Sequence, residues 1–155
     1  MAEIPVRCHA VSLVAIRPEG QVLLLRRTGT LAGEWCQIAG AIEPGETAWQ
    51  AALREMAEET GLVPTALYSA DICEQFYEAH RDAISLLPVF VAHVDPAAPV
   101  RLNHEHSEYR WARFDEAVLM VPFAGQRHVL RHVEAEFLHR TPSPHLRIAI
   151  GQESR

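Results

Sequence analysis

The chain has 155 residues, enough for one domain whose core stands without disulfide or metal staples. It is 48% hydrophobic and 22% charged, as soluble globular proteins are, and its net charge is -6. That acidic balance, with no basic stripe, excludes a binder of long nucleic acid, which is held by Lys and Arg on phosphates. A small polyphosphate is a different case, because bound cations neutralise it locally. Cys8, Cys36 and Cys73 are far apart and odd in number, with no Cys-x-x-Cys pair. They indicate neither a zinc site nor a disulfide framework and read as buried or idle thiols of a reducing cytoplasm. The N-terminus lacks a basic region followed by an apolar one, and no apolar run approaches the length of a membrane span. A cytoplasmic protein with no membrane partner is expected.

Residues 6–16 are β-branched and apolar and predict a strand. Pro18-Glu19-Gly20 marks a turn, and residues 22–27 predict its hairpin partner. A loop with Gly29 and Gly33 leads to a short strand around residues 35–39. Residues 47–60 predict a helix, with Thr47 and Gln50 placed as a capping box and Gly61 as the left-handed stop. At 100° per residue, Trp49, Ala52, Leu53 and Met56 share an apolar face. Arg54, Glu55, Glu58 and Glu59 share another, with the small Ala48 and Ala51 placed on that acidic side. Residues 67–77 and 84–94 predict two strands, with Pro88 calling for an edge position or a bulge in the second. A short strand over 109–114, a turn or two of helix over 115–120 and a full helix over 125–139 complete the chain. The last helix carries Val129, Leu130, Val133 and Phe137 inward, and a tail from about residue 141 is expected to be loosely attached. Hairpins on both sides of a helix predict a mixed sheet with helices on its faces, in one domain over residues 1–155.

The segment that carries chemistry begins at Gly40. Five residues separate it from Glu46, and seven more lead to Arg54-Glu55-Met56-Ala57-Glu58-Glu59-Thr60-Gly61-Leu62. Glu55 lies three residues from Glu58 and four from Glu59, so all three carboxylates project together from a helix. Packing them costs free energy in the empty protein, which a hard divalent cation relieves. Read alone, residues 54–59 are a solvated charged face. The register of Gly40, Glu46, Gly61 and the apolar slots sets that reading aside. The spacing resembles the Nudix box, G-x5-E-x7-R-E-U-x-E-E-x-G-U with U apolar, at every position. Average residue usage puts a chance match on the order of 10⁻⁸ per start position.

The resemblance implies an α/β/α sandwich around a mixed sheet and a magnesium- or manganese-dependent pyrophosphohydrolase acting on a small polyphosphate. It implies Glu55, Glu58 and Glu59 as metal ligands, the Gly40 carbonyl as a further ligand and Arg54 as the partner of Glu46. It also implies an acid outside the box, as catalytic base or metal ligand; Glu105 is the first candidate and Glu108 the second. His104 and His106 flank Glu105 and could touch phosphate or metal, but exposed loop histidines are the stronger reading. His128 and His132 read as a solvated helix face. Among the aromatics, Trp35 is the favoured base-stacking residue because its strand runs into Gly40. Residues 34–40, 46–52 and 105–111 look like the bacterial dihydroneopterin triphosphate pyrophosphatase branch, which implies a monophosphate and pyrophosphate as products. Enzymes of ADP-ribose, NADH or dinucleoside polyphosphates, and a ligand-sensing domain without catalysis, stay open. A homodimer through an edge near Pro88 or through the last helix also stays open.

Overall fold

The computed structural model describes residues 1–151; residues 152–155, the end of the expected tail, lie outside the described residues. In chain order come β1 (Val6–Arg7), β2 (Ala10–Ile16), β3 (Gln21–Arg27), β4 (Trp35–Cys36) and β5 (Ile38–Ala41). Then follow α1 (Ala48–Thr60), β6 (Ala66–Glu78), β7 (Ala83–His93), β8 (His106–Arg113), α2 (Phe114–Met120), α3 (Ala124–Val133) and β9 (Arg147–Ile148). Among the described residues the strands form one mixed sheet, in the order β4-β3-β2-β7-β6-β9, with β1 beside β7, β5 beside β2 and β8 beside β3. β2 runs parallel to β7 and antiparallel to β5.

A strand covered on both faces must be apolar on both, and β2 is. Val11, Leu13 and Ala15 pack under α1, together with Leu25, Ile38, Ala52, Met56 and Leu62. Val14 and Ile16 point the other way, into a core closed by Phe114 and Ala117 of α2 and by Val129, Leu130 and Val133 of α3. The result is the expected sandwich.

α1 starts where its capping box places it. Thr47 Oγ1 accepts from the Gln50 backbone N–H, and Gln50 Oε1 accepts from that of Thr47. It stops at Gly61, whose φ of 71° suits a residue without a side chain. One expectation about this helix fails. Ala51 is not on an open acidic side; it is fully buried with Ala52 and Met56. The helix is turned so that the line Ala51, Glu55, Glu59 runs along the seam with the sheet, which carries Glu59 out of solvent.

Pro88 sits in an interior strand, between β2 and β6, so no exposed edge for a second copy exists there. The bulge alternative holds. Opposite Pro88 the register of β6 shifts between Ser69 and Cys73, and Asp71 takes up the extra length at a φ of 63°. On its other side β7 meets a break as well. From Val6 to Ser12 the chain runs one residue more than from Ile84 to Val89, so Cys8 and His9 divide the expected first strand. Proline, with no N–H to donate, falls at both interruptions.

The last helix widens after Val133, where the His139 N–H reaches back five residues to the Glu134 carbonyl. The described part of the tail, to Gly151, makes sheet and core contacts. β9 pairs with β6 through Leu67 and Ile148, and Ile148 and Ile150 pack against the α1-side core. Apolar residues at 148 and 150 supply the burial that the prolines before them do not.

Met56 anchors α1 and is fully buried. Met56→Ala is expected to lower stability by about 2–5 kcal/mol, read as a drop in the urea midpoint at unchanged slope.

Candidate active site

Arg54 organises the acidic face. Its guanidinium donates to Glu46 through Nη2 at 2.7 Å and Nε at 3.1 Å, and to the Ala41 carbonyl through Nη2 at 2.8 Å. Nη1 donates to Glu55 at 2.9 Å and to Glu58 at 3.3 Å. One side chain therefore ties the loop after β5 to the helix, with a geometry that lysine cannot reproduce. Arg54, and after it the Glu43 backbone N–H, hold the Glu46 carboxyl below its usual range. The sequence-based pairing of Arg54 with Glu46 corresponds to these contacts.

Gly40 lies in β5 directly under Glu55. A Cβ at this position would overlap the Glu55 carboxylate, so only glycine lets the acid lie against the strand.

Glu59 differs from its neighbours. It is 2% exposed, and its Oε2 has no hydrogen-bond partner among the described residues. Its Oε1 stands 3.6 Å from His106 Nε2. Ligand atoms of Glu59, Glu105 and His106 all lie within 4.8 Å of one another. Burial raises the Glu59 pKa well above the ordinary carboxylate range, and the negative charges of Glu55 and Glu105 reinforce it. Burial likewise lowers His106 and leaves its ring neutral.

Two loops meet to hold Glu105. The Thr28 N–H donates to the Glu105 carbonyl at 3.0 Å, and Thr28 Oγ1 donates to the His104 carbonyl at 2.8 Å. Asn103 Oδ1 caps the Glu105 N–H at 3.0 Å. The side chain stays exposed while its backbone is fixed. Beside this cluster Cys36 is buried, its Sγ 3.8 Å from His106 Nε2, and burial pushes its thiol up to about 11.

Gly40, Cys36, Glu59, Glu105 and His106 line one end of a cleft of about 650 Å³. Arg27 lines the acidic end, its guanidinium tied to Thr30 by two bonds of 2.8 Å. Phe76, Glu78, Arg81 and Ser85, from the β6–β7 hairpin, line the far end.

The structure brings Gly40, Glu55, Glu59 and Glu105 together, but not all the residues singled out from sequence. Glu58 is half exposed and paired with Arg54, outside the tight group. Glu108 is paired with Arg26 at 3.4 Å and does not line the cleft. Trp35 packs against the α3-side core instead of lining the cleft, and Phe76, 38% exposed, is the aromatic found there. His106 is buried at the head of β8, not exposed in a loop. His132 Nε2 lies 2.7 Å from the Ala70 carbonyl, so it is no open partner for the exposed His128. Arg27 escaped the sequence reading, although an arginine ending a strand before a Thr-Gly-Thr loop is a usable signal for an anion site.

A box arginine that ties a loop to a helix, and acids meeting at a cleft on a mixed-sheet sandwich, are compatible with a hydrolase that holds a divalent cation. The chain matches the NUDIX domain over residues 6–137 and belongs to the Nudix family of hydrolases. It is 31% identical to an asymmetrical bis(5'-nucleosyl)-tetraphosphatase of Caenorhabditis elegans, over 65% of this chain and 74% of the relative. It is 38% identical to an octanoyltransferase of Myxococcus xanthus over 84% of this chain, but spans only 37% of that relative's length. A crystal structure of a C. elegans Ap4A hydrolase binary complex superposes with a TM-score of 0.73 at 28% identity, covering 86% of this chain and 98% of that one. The E. coli dihydroneopterin triphosphate pyrophosphohydrolase superposes with a TM-score of 0.69 at 21% identity, covering 88% and 99%, a likeness of fold alone.

The raised Glu59 carboxyl has a consequence for stability. Its unfolded value is near the ordinary 4.5, so the folded chain binds the extra proton between that value and its own. Metal-free stability therefore falls as pH rises through this window. Glu59→Gln, uncharged and of the same shape, is expected to lose that slope. In chelator at neutral pH it should melt higher than the natural chain. A lower melting temperature at every pH would show that Glu59 is not a strained acid.

Proposed function

We propose that this chain is a divalent-cation-dependent pyrophosphohydrolase whose substrate is a nucleoside polyphosphate, with dinucleoside polyphosphates the favoured class. The observation that carries the reading is the Glu59 carboxylate, buried with an orphaned oxygen and facing Glu105 at the end of an open cleft. A carboxylate in that position costs free energy unless a cation meets it. The fit is good: Glu55, Glu59 and Glu105 offer the hard oxygens that magnesium or manganese takes, and Gly40 leaves the space a Cβ would fill. Glu58, close by on Arg54, is the remaining box acid within reach of a second ion.

A cation held there supplies Lewis-acid activation of water and neutralises charge on phosphate oxygens. The protein's own groups do the rest. Arg54 fixes Glu55 and Glu46 so that the acidic face does not reorganise during turnover. Glu105, exposed, fixed through its backbone and beside Glu59, either joins the cation's ligands or takes a proton from attacking water. Arg27 stands at the same end of the cleft and meets phosphate oxygens with its guanidinium. Phe76 offers a ring face to a base at the far end.

Support for dinucleoside polyphosphates comes from the 31% identity to the C. elegans tetraphosphatase and from a cleft that continues past the acids to an aromatic and an arginine. The stretches at 34–40 and 105–111 keep dihydroneopterin triphosphate as a second reading. A ligand sensor without catalysis is disfavoured, since every box carboxylate is present.

The test is product identification on a panel of diadenosine tetraphosphate, dihydroneopterin triphosphate, nucleoside triphosphates, ADP-ribose and NADH, with magnesium or manganese. Unequal cleavage of diadenosine tetraphosphate to a nucleoside triphosphate and monophosphate is expected. Glu59→Gln should reduce it by more than about 100-fold, since even groups behind metal ligands are worth 10–100-fold. No turnover of any member with either ion would defeat the reading.

A further inference from the structure

His106 is the group at this end of the cleft that hydrolysis does not use. Its side chain is buried, and Nδ1 has no hydrogen-bond partner among the described residues. Nε2 lies 3.6 Å from Glu59 Oε1, beyond hydrogen-bond length, and 3.8 Å from the Cys36 thiol, within reach of a weak sulfur hydrogen bond. The thiol itself leans on the Leu25 carbonyl at 3.6 Å. The two side chains approach through Glu59 Oε1 and His106 Nε2, while the second atom of each, Glu59 Oε2 and His106 Nδ1, is buried with no hydrogen-bond partner among the described residues. Simple burial does not explain two such side chains together, because each buried polar atom left without a partner costs about 1–3 kcal/mol.

We propose that His106, Glu59 and Glu105 form a mixed nitrogen–oxygen site for a borderline transition-metal cation, zinc above all, distinct in preference from an all-oxygen magnesium shell. The dimensions agree. Bonds of about 2.0–2.2 Å from zinc to imidazole nitrogen and carboxylate oxygen put tetrahedral ligands about 3.4 Å apart. The 3.6 Å between His106 and Glu59 is close to that edge, and Glu105 lies inside the same 4.8 Å envelope. Two carboxylates and a neutral imidazole leave the fourth position open to water or a phosphate oxygen. Imidazole adds little for magnesium and much for zinc, so the nitrogen sets the choice of ion. Occupation by zinc engages Glu59 and Glu105 and so competes with the magnesium-supported reaction. This deepens the reading above, because it rests on Glu59 and Glu105 facing a cation.

The test reads binding without substrate. Zinc is titrated calorimetrically into the chelator-treated full chain in excess magnesium, and X-ray absorption is recorded on the zinc-loaded protein. One tight zinc per chain, with imidazole scattering, is expected. His106→Gln should weaken zinc at least about tenfold and remove that scattering, while magnesium affinity moves far less. His128→Gln, on the exposed face of α3, should change neither. Glu105→Gln, on an exposed side chain that leaves the core intact, should weaken zinc even if the buried substitution fails to fold. Equal loss of zinc and magnesium in His106→Gln would assign the ring a structural role and overturn the proposal. Unchanged zinc affinity in Glu105→Gln, or no imidazole scattering in the natural chain, would also overturn it. A silent hydrolysis panel with a retained zinc signal would instead defeat only the hydrolase reading.

Discussion

Glu59 rides on a helix whose neighbouring face is packed against a sheet, so its carboxylate cannot turn to water without unpacking Ala51, Ala52 and Met56. The position of the acid is thus set by apolar burial elsewhere on α1. This is how a small domain holds an unfavourable group in place. Burying Met56 contributes about 1.5–3 kcal/mol of transfer free energy and each alanine methyl about 0.8 kcal/mol, which helps to offset one strained carboxyl. The orphaned oxygen is the residue of that arrangement. On the proposed reading it marks the place that a cation would complete.

Compensation among the acids is uneven, and the unevenness defines the site. Arg54 is shared by Glu46, Glu55 and Glu58, at 2.7, 2.9 and 3.3 Å. Its charge is spent on them and on the Ala41 carbonyl. Glu59 and Glu105 have no such partner within the same reach; Arg27 only moderates Glu59, through space. Of the acids in the box, those held by Arg54 act as scaffold around the bare one. Glu55 belongs to both groups, since it touches Arg54 and its charge also bears on Glu59.

What could be read in the sequence follows the range of the interactions involved. The capping box at Thr47, the stop at Gly61 and the reach of Arg54 to Glu46 are local, and the spacing alone fixes them. The inward line of Val129, Leu130, Val133 and Phe137 is equally local and appears as expected. The burial of Glu59 is not local. A helical wheel centres the apolar face near Ala52 and Met56 and cannot show how far the sheet wraps around it. His106 was obscured because Asn103-His104-Glu105-His106 is polar throughout and reads as loop. It is strand only because β8 pairs with β3 from Arg27 onward, a contact between distant parts of the chain. Trp35 was misplaced for the reverse reason: its strand does lead to Gly40, but alternation turns its side chain to the other face.

The acidic end of the cleft and the substrate carry the same sign, and this orders events. Two unit charges 4 Å apart repel by about 1 kcal/mol in water and about 4 kcal/mol near a partly buried protein surface. A polyphosphate meeting Glu59 ionised beside Glu105 would sum several such terms, which one guanidinium at Arg27 cannot cancel. The chain's net charge of -6 adds to the barrier at long range, less so at physiological salt. In the metal-free state the proton held by Glu59 removes one of these charges, and that proton must leave when the carboxylate takes a cation. On the proposed reading, cation entry and substrate entry would be coupled, with the ion preceding the phosphates or arriving with them. The far end of the cleft, with Phe76 and Arg81, is then free to read the part of the substrate that is not being cut.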